Sequence, residues 1–408
     1  MHVPFCTRKC RYCAFYSVPL GTDGKGGSAS RLLDAYVAAV EREARLRAGD
    51  CMGGRFPAWD TVYFGGGTPT LLGPERIGRI LEALCRAAPL SPAAEVTVEA
   101  NPGTVSACDL PRYRDAGVSR LSIGLQSLSD PHLAWLGRIH TAADGLRLLQ
   151  SAKAAGFSTG IDLIYGLPGQ EVVEWCGHLR LAAKLGPDHV SCYALTVEGG
   201  TRLCQEVESG QVRMPDQDAS AALFLATHET LAAAGYPGYE VSNFARDPCV
   251  RSRHNRACWS HEPYLGLGPG AHSFDGRCRS WNLPDLNAYL AFGTAAAKAA
   301  GADLAKPRPA PGCASPASRS VRPPHESEVL RAEQILLEHV MLALRTAEGI
   351  DLARCRSITG ADIADRCSGC ARQLEEEGLL RVDERSWRPT LAGLAVADAL
   401  PLRLLEGW

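Results

Sequence analysis

The chain has 408 residues, of which 46% are hydrophobic, and its 43 basic and 45 acidic side chains give a formal net charge of −2. This length exceeds one ordinary domain and suits a barrel-sized unit with smaller additions. The charge gives no support for nucleic-acid binding, and no apolar run reaches the roughly 18 residues of a membrane span. Sixteen scattered cysteines without a signal peptide predict mostly free thiols and a cytoplasmic protein, which would meet a membrane only through a partner.

Three cysteines near the amino terminus, Cys6, Cys10 and Cys13, are spaced C-x3-C-x2-C. Three thiolates within so short a segment can bind one face of a compact iron–sulfur cluster, whereas a tetrahedral zinc site needs a fourth ligand. A [4Fe–4S] cluster held by three cysteines leaves one iron open. The motif therefore predicts a reactive cluster, with a zinc site or inert core thiols as the alternatives.

Short apolar runs and helical patterns alternate after this motif. A Gly- and Ser-rich loop is predicted over 21–30 and an amphipathic helix over 31–48. Strands are predicted at 61–64, 95–98, 120–124, 160–164 and 188–193, and helices near 74–88, 106–116, 141–155 and 171–185. This repetition implies parallel strands with right-handed crossovers, about six of them once a strand before Cys6 is included. The predicted fold class is α/β, a partial, open (βα)6 barrel.

Candidate binding residues follow the ends of these strands, where the chemistry of βα barrels gathers. They are Gly65, Gly66, Gly67, Thr68, Glu99, Gln126, Arg138 and Asp162. The three glycines form a turn whose missing side chains let a ligand approach the backbone, and the fork of Arg138 suits a carboxylate. Each residue taken singly also fits a solvated charge or a helix cap, but their order behind the cysteines predicts one binding site.

The second half of the chain carries a different set of motifs. A helix is predicted over 216–234, and His254 follows it, where a lone histidine is more often a hydrogen-bonding residue than a ligand. A Pro- and Ala-rich stretch over 294–325 predicts a disordered insertion, after which a helix is expected over 326–346 and further helices with a β-hairpin beyond it. Cys367 and Cys370 have metal-site spacing but no partner ligands, so we predict two core thiols.

The cysteine motif, with His2-Val3-Pro4-Phe5 before it and Phe15 after it, resembles the signature of radical S-adenosylmethionine (SAM) proteins. Within that superfamily it is similar to the branch of the oxygen-independent coproporphyrinogen III oxidases and the HemW-like heme chaperones. The resemblance implies that the open iron binds SAM and that an electron splits SAM into methionine and a 5′-deoxyadenosyl radical. It also implies roles in SAM binding: the loop 65–68 at the amino group, Glu99 and Arg138 at the methionine end, and Gln126 and Asp162 at the ribose.

The same resemblance implies a heme site. The run beginning His254-Asn255 resembles the H-N-x-x-Y-W element associated with heme binding, with Cys258 in place of the tyrosine. The oxidases lack this element and typically carry a fourth cysteine where this chain has Phe15. The resemblance therefore favours a chaperone that carries heme to acceptor proteins, served by an electron donor for its cluster. A coproporphyrinogen III oxidase is the alternative, and a radical SAM enzyme with another substrate is a third possibility.

These features predict four regions: 1–195, a radical SAM barrel with the cluster and SAM sites; 196–293, an extension with the heme element; 294–325, the insertion; and 326–408, a winged-helix-like domain. The acidic run 375–377 argues against nucleic-acid binding by that last domain. Only residues 1–5 precede the first cysteine, where the family usually has a longer strand with a tyrosine. Our hypothesis is a start codon assigned too far downstream; if Met1 is the true start, we expect the cluster to be attached to a frayed first strand.

Overall fold

The computed structural model describes residues 1–20, 27–48, 58–293, 322–406 and 408. Its strands are β1 (His2–Val3), β2 (Phe5–Cys6), β3 (Val18–Pro19), β4 (Trp59–Gly66), β5 (Leu90–Ala100), β6 (Arg120–Gln126), β7 (Ser158–Tyr165), β8 (His189–Ala194), β9 (Asn243–Ala245), β10 (His272–Phe274), β11 (Cys278–Asn282), β12 (His325–Val329), β13 (Ile350–Asp351), β14 (Leu380–Val382) and β15 (Ser386–Pro389). The largest sheet has seven strands in the order β1-β4-β5-β6-β7-β8-β9. Six of them run parallel, which confirms the predicted α/β class and the open barrel, and β9 adds an unpredicted antiparallel edge.

Fifteen α-helices lie in the described residues, and the first six of them connect the parallel strands. They are α1 (Gly27–Ala48), α2 (Pro74–Ala87), α3 (Leu110–Asp115), α4 (Asp130–Leu136), α5 (Ala142–Ala154), α6 (Val172–Lys184), α7 (Arg202–Glu208), α8 (Gln217–Ala233), α9 (Arg253–Trp259), α10 (Leu286–Gly293), α11 (Ala332–Ala343), α12 (Leu352–Thr359), α13 (Ile363–Glu376), α14 (Leu391–Ala395) and α15 (Leu400–Leu404). The predicted α2, α5, α6 and α8 are confirmed to within one residue at each end. Among the described helices, none is long and apolar enough to cross a membrane.

The first strand is hydrogen-bonded on both of its edges. His2 pairs with Gly65 of β4 on one side, and its backbone N–H donates to the Leu267 carbonyl at 2.8 Å on the other. The Tyr36 hydroxyl of α1 donates to the His2 carbonyl at 2.7 Å, and Val3 is completely buried. The expectation of a frayed first strand is therefore wrong, because a Gly-rich segment far along the chain supplies a second partner that local pattern could not show.

That Gly-rich segment is held by a buried carboxylate. Glu43 of α1 accepts hydrogen bonds from the Gly268 N–H at 2.9 Å, the Asn282 amide at 2.8 Å and the Tyr289 hydroxyl at 2.6 Å. Burial raises the pKa of Glu43, and these three donors oppose that rise. Gly268 has a φ of +99°, and a Cβ there would lie 2.4 Å from the His2 carbonyl oxygen, so the close approach to β1 requires glycine.

A second, three-stranded antiparallel sheet consists of β10, β11 and β12. The helix predicted to start at residue 326 is wrong at its beginning, because the segment His325–Val329 pairs along its whole length with Cys278–Asn282. The helix itself, α11, starts only at Ala332. Of the insertion predicted over 294–325, residues 294–321 lie outside the described part of the chain. The loop predicted over 21–30 is helical from Gly27, and 21–26 also lie outside the described residues.

The carboxyl-terminal region contains helices followed by the β14–β15 hairpin, as the sequence predicts. It has a hydrophobic core of its own, to which α11, α13 and the hairpin contribute Leu336, Leu374 and Trp387. Cys367 is buried in that core and Cys370 packs against it, both as free thiols. The prediction of two core thiols is therefore confirmed.

Candidate functional site

The three cysteines lie at the carboxyl end of the short strand β2 and in the loop after it. Cys6 closes β2, and the Cys13 N–H donates to the Cys10 carbonyl at 3.3 Å in a tight turn. Arg11 fastens this loop from outside, with its guanidinium 4.8 Å from the centre of the Trp135 ring and 3.4 Å from a Glu206 carboxylate oxygen. The loop is thus held by α4 and α7 as well as by its own strand.

The three sulfur atoms are not clustered closely enough to be grouped as ligands of a single metal ion as they stand. Two thiolates on a tetrahedral zinc lie roughly 3.8 Å apart, given zinc–sulfur bonds of about 2.3 Å. The three Sγ atoms do not form a group within 4.8 Å of one another, although each of these residues is described. Burial raises the pKa of the Cys6 and Cys13 thiols, so metal binding must supply the driving force for their deprotonation. A donor set of three thiolates fits a [4Fe–4S] cluster, whereas tetrahedral zinc would need a fourth ligand.

Two donors point at these sulfurs from the barrel. The Thr68 hydroxyl lies 3.7 Å from Cys6 Sγ, and the Arg138 guanidinium donates to Cys10 Sγ at 3.5 Å. Hydrogen bonds to thiolate sulfurs are among the groups that tune an iron–sulfur cluster. Two of the residues predicted for the ligand site therefore also contact the cysteines.

The loop 65–68 requires glycine at two positions because it packs tightly against the first strands. A Cβ on Gly67 would lie 2.5 Å from the Phe5 carbonyl oxygen, and one on Gly66, whose φ is +107°, would lie 2.6 Å from the His2 ring. The Gly67 N–H also donates to the Val3 carbonyl at 2.8 Å. On the Cβ side of Gly66 and Gly67 the space is thus filled by the protein's own backbone and His2 ring, and contact of a ligand with the loop backbone stays a prediction.

Glu99 and Asp162 form the acidic floor of the barrel mouth. Glu99 accepts from the Tyr63 hydroxyl at 2.7 Å and the Gly66 N–H at 3.3 Å, and Asp162 accepts from the Ser122 hydroxyl at 3.1 Å. Burial raises the pKa of Glu99 to about 7, and the Asp162 carboxylate shifts it in the same direction. Burial likewise raises the pKa of Asp162. A cationic ligand placed here would favour both charged carboxylates, so the floor suits a positively charged group.

Arg138 joins the cysteine loop to the strand ends. Its guanidinium donates to the Gly124 carbonyl at 3.2 Å and to the Asn101 side-chain oxygen, while the Asn101 amide donates to Thr68 Oγ1 at 2.9 Å. Gln126 ends β6 with a φ of +65°, a left-handed conformation that non-glycine residues rarely adopt. Strained backbone of this kind concentrates at functional sites. Because Asn101 bonds both Arg138 and Thr68, it lies among the candidate site residues, although the sequence analysis did not select it.

Some of these side chains line a cleft at the carboxyl ends of β4 to β6. Its lining includes Cys10, Thr68, Asn101, Arg138 and His140. The structure brings most of the predicted residues to this end of the barrel, where βα-barrel chemistry is expected. His140 was not predicted, and burial lowers the pKa of its imidazole to about 4.

His254 lies elsewhere, against the lower part of β4. Its ring stacks on Tyr63 with centroids 4.8 Å apart, its Nδ1 is 3.3 Å from Thr61 Oγ1, and its backbone N–H donates to Glu95. Its Nε2 lies 4.0 Å from Cys258 Sγ, one helical turn further along α9. Burial lowers the pKa of His254 to about 4, so the imidazole is neutral near neutral pH. The structure does not bring His254 into the cysteine cleft; Tyr63, which bonds Glu99 and stacks on His254, connects the two.

A second, partly open cavity lies between the opposite face of α9 and the carboxyl-terminal region. Arg256 and Trp259 of α9 line it together with His339 of α11. His339 is 3% exposed, and its Nδ1 has no hydrogen-bond partner among the described residues. No local sequence signal marks His339, because its surroundings come from three separated segments.

Comparison with known proteins agrees with this architecture. Residues 1–182 match the radical SAM superfamily and residues 330–396 match the HemN C-terminal domain. The solved coproporphyrinogen III oxidase HemN from Escherichia coli shares the fold over all of this chain and 89% of its own, with a TM-score of 0.77 and 23% identity. The heme chaperone HemW of Mycobacterium tuberculosis is 36% identical over 406 residues, covering 99% of this chain and 94% of the relative.

The chain belongs to the HemW family of radical SAM proteins. A mitochondrial relative from Bos taurus, radical S-adenosyl methionine domain-containing protein 1, is 35% identical and covers all of this chain and 88% of its own length. Membership of the HemW family confirms the resemblance drawn from Cys6, Cys10 and Cys13 and the motifs behind them. It also accounts for the HemN-like module at the carboxyl end of the chain.

Proposed function

We propose that this chain is a heme chaperone that binds a [4Fe–4S] cluster, SAM and heme, and transfers the heme to acceptor proteins. The observation that carries the proposal is its likeness, over nearly the full length of both chains, to a protein named as a heme chaperone. The cysteine cleft and the helix α9 support it as two separate sites on one scaffold. A cluster bound in the cleft would supply an open iron for SAM and an electron from a donor protein.

We assign separate roles in binding the cluster and SAM to the residues at this end of the barrel. Cys6, Cys10 and Cys13 are the proposed cluster ligands, and the hydrogen bond from Arg138 to Cys10 holds that guanidinium beside them. Glu99 supplies a carboxylate for the amino group of SAM, because its raised pKa falls again when a cation approaches. The backbone of the loop 65–68, Gln126 and Asp162 complete the proposed SAM contacts.

His254 has the surroundings of a metal ligand. In the tautomer that carries its proton on Nδ1, it donates to Thr61 Oγ1 and leaves the Nε2 lone pair free. Metal-binding histidines usually fix their second nitrogen in this manner. The lowered pKa keeps the imidazole unprotonated, as coordination to heme iron requires. Cys258, beside Nε2, stands where the family element has a tyrosine.

We expect His254→Ala to weaken heme binding strongly, because the proposed axial nitrogen is lost. The measurement is a titration of cluster-loaded protein with heme, followed through the Soret band. His339→Ala is the matched control, since it removes a second buried histidine whose pKa burial also lowers to about 4, and it should bind heme as the wild type does.

If heme binding were lost only in His339→Ala, His339 in the cavity beyond α9 would be the heme ligand instead of His254. Unchanged titrations in both variants would contradict heme ligation at α9. Iron content and circular dichroism report whether each variant still folds.

The alternative function is a coproporphyrinogen III oxidase, which shares the fold. Its typical fourth cysteine is replaced by Phe15, whose side chain is 66% exposed beside the cysteine loop. A phenyl ring offers no ligand atom to a metal or cluster. The chaperone accounts for both Phe15 and the His254-Asn255 element, and the oxidase accounts for neither.

The proposed partners are heme acceptors and an electron donor, and we place the protein in the reducing cytoplasm. The carboxyl-terminal module is proposed to cover the barrel rather than to bind nucleic acid. Its acidic run is engaged within the module, since Glu375 accepts from the Val382 N–H at 2.8 Å and Glu377 forms an ion pair with Arg403. These carboxylates would repel a phosphate backbone.

A further inference from the structure

Two histidines and a glutamate meet on the outside of the barrel. His132 comes from α4, and Glu174 and His178 come from α6. One ligand atom from each of the three lies within 4.8 Å of the other two, and this is the one such group of His, Cys, Asp or Glu among the residues that the structure describes. It lies apart from the cysteine cleft and uses none of the residues proposed for SAM or heme.

The geometry of the group is set by the two helices. Glu174 and His178 are four residues apart, so they share one face of α6. The Nε2 of His132 lies 3.6 Å from a Glu174 carboxylate oxygen, and the two imidazole rings meet edge to face with centroids 6.0 Å apart. Among the described residues, neither His132 nor Glu174 has a stronger contact there, and the 3.6 Å separation exceeds an ordinary hydrogen bond.

The backbones beneath these side chains are well anchored. Leu133 of α4 and Trp175 and Leu179 of α6 are almost completely buried, so both helices are fixed against the barrel. The Nδ1 of His132 is enclosed and has no hydrogen-bond partner among the described residues. The Nε2 of His132 faces the group and is available to bind an ion, whereas its buried Nδ1 still needs a hydrogen-bond partner.

We propose that His132, Glu174 and His178 form a zinc site. Two imidazoles and one carboxylate are a common three-residue ligand set for Zn²⁺, and a water completes the tetrahedron. Nitrogen and oxygen ligands at about 2.0–2.2 Å from zinc lie roughly 3.4 Å from one another, which the present spacing reaches by small side-chain rotations. Imidazole with carboxylate also favours zinc over Mg²⁺ or Ca²⁺, which prefer oxygen ligands alone.

A zinc ion here would join α4 to α6. Helix α4 ends at Leu136, and Arg138, which donates to Cys10 Sγ, follows directly after the Gly137 turn. Tying the start of α4 to its neighbour would therefore restrain the segment that presents Arg138 to the cysteine loop. This inference does not rest on the heme-chaperone proposal, because it uses only the two helices.

The test is zinc binding to cluster-loaded protein, with zinc and iron both measured by elemental analysis after equilibrium dialysis. We expect the wild type to hold one zinc ion per chain, with its iron content unchanged. His178→Ala and the isosteric Glu174→Gln should each lower zinc affinity at least about tenfold, because each removes a ligand. His272→Ala, which removes an exposed histidine outside the group, should bind zinc as the wild type does.

Equal zinc affinity in His178→Ala and the wild type would overturn the proposal, as would zinc uptake accompanied by loss of iron from the cysteines. Glu174→Gln keeps the test decisive if His178→Ala proves unstable, since it changes charge and ligand character without changing side-chain size. Heme binding measured in the same variants should stay unchanged, which separates failure of this site from failure of the proposed chaperone function.

Discussion

Replacing Cys10 with Ala is expected to leave the purified, anaerobically reconstituted chain almost free of a [4Fe–4S] cluster. Two remaining thiolates cannot hold three irons of a cubane, and Arg138 would lose the sulfur to which it donates at 3.5 Å. Iron and acid-labile sulfide per chain, with the visible absorption of the cluster, measure the effect. We expect SAM binding to fall with the iron content, because the open iron is part of the SAM site.

Cys85→Ala is the matched control for this loss. Cys85 is an exposed free thiol on α2, far along the chain from the cysteine loop, so its removal should leave full iron loading. Full iron loading in Cys10→Ala would show that the cysteine loop is not the cluster site. Zinc in place of iron in the wild-type protein would likewise show that the cysteine loop does not hold a [4Fe–4S] cluster.

Gly67→Ala is expected to disrupt both the first strands and the SAM site. The added Cβ would lie 2.5 Å from the Phe5 carbonyl oxygen and 2.8 Å from that of Val3, and neither backbone atom can move aside cheaply. Overpacking of this kind costs about 1–3 kcal/mol. The hydrogen bond from the Gly67 N–H to Val3 and the one from Thr68 to Phe5 would be strained as well. Thermal unfolding and SAM binding by dialysis both report the change.

Gly369→Ala provides the control for glycine replacement. Gly369 lies exposed in the interior of α13, and a Cβ there would meet nothing within 4 Å. Alanine in such a helical position should stabilise the protein by roughly 0.5–1 kcal/mol and leave SAM binding unchanged. If Gly67→Ala behaved like Gly369→Ala, the loop 65–68 would not be packed against β1 and β2 as described.

The barrel could be predicted because its signals are local. Each inner strand is a short apolar run bounded by Gly, Pro or polar residues, since both faces of a parallel strand are buried. The helix α5 begins with Thr141 and Asp144, which form a capping box that marks its start in the sequence. Because the carboxyl ends of parallel strands converge, the positions of Glu99 and Asp162 near one mouth followed from the strand order alone.

Features that depend on distant partners could not be predicted. The strand β12 forms because Cys278–Asn282 offers it an edge, and nothing within His325–Val329 distinguishes it from the start of a helix. The first strand gains its second edge from Leu267. His254 was expected near a heme site, but only the folded chain shows that it stacks on Tyr63 and lies apart from the cysteine cleft.

Asn101 is the residue that closer reading of the sequence could have found. It follows Glu99 at the end of the same strand, where an amide can still reach the mouth of the barrel. The structure shows it bridging Arg138 and Thr68. In contrast, the exclusion of a Cβ from Gly66 by the His2 ring could not be foreseen, because it depends on how β1 lies against β4.

A heme chaperone, as we propose for this chain, would carry heme without oxidising coproporphyrinogen III. The most direct measurement supplies cluster-loaded protein with SAM, a reductant and coproporphyrinogen III under anaerobic conditions, and quantifies protoporphyrinogen formation. We expect no product above the level of a Cys10→Ala control. Sustained formation of protoporphyrinogen by the wild type, absent in that control, would contradict it and identify the chain as an oxidase.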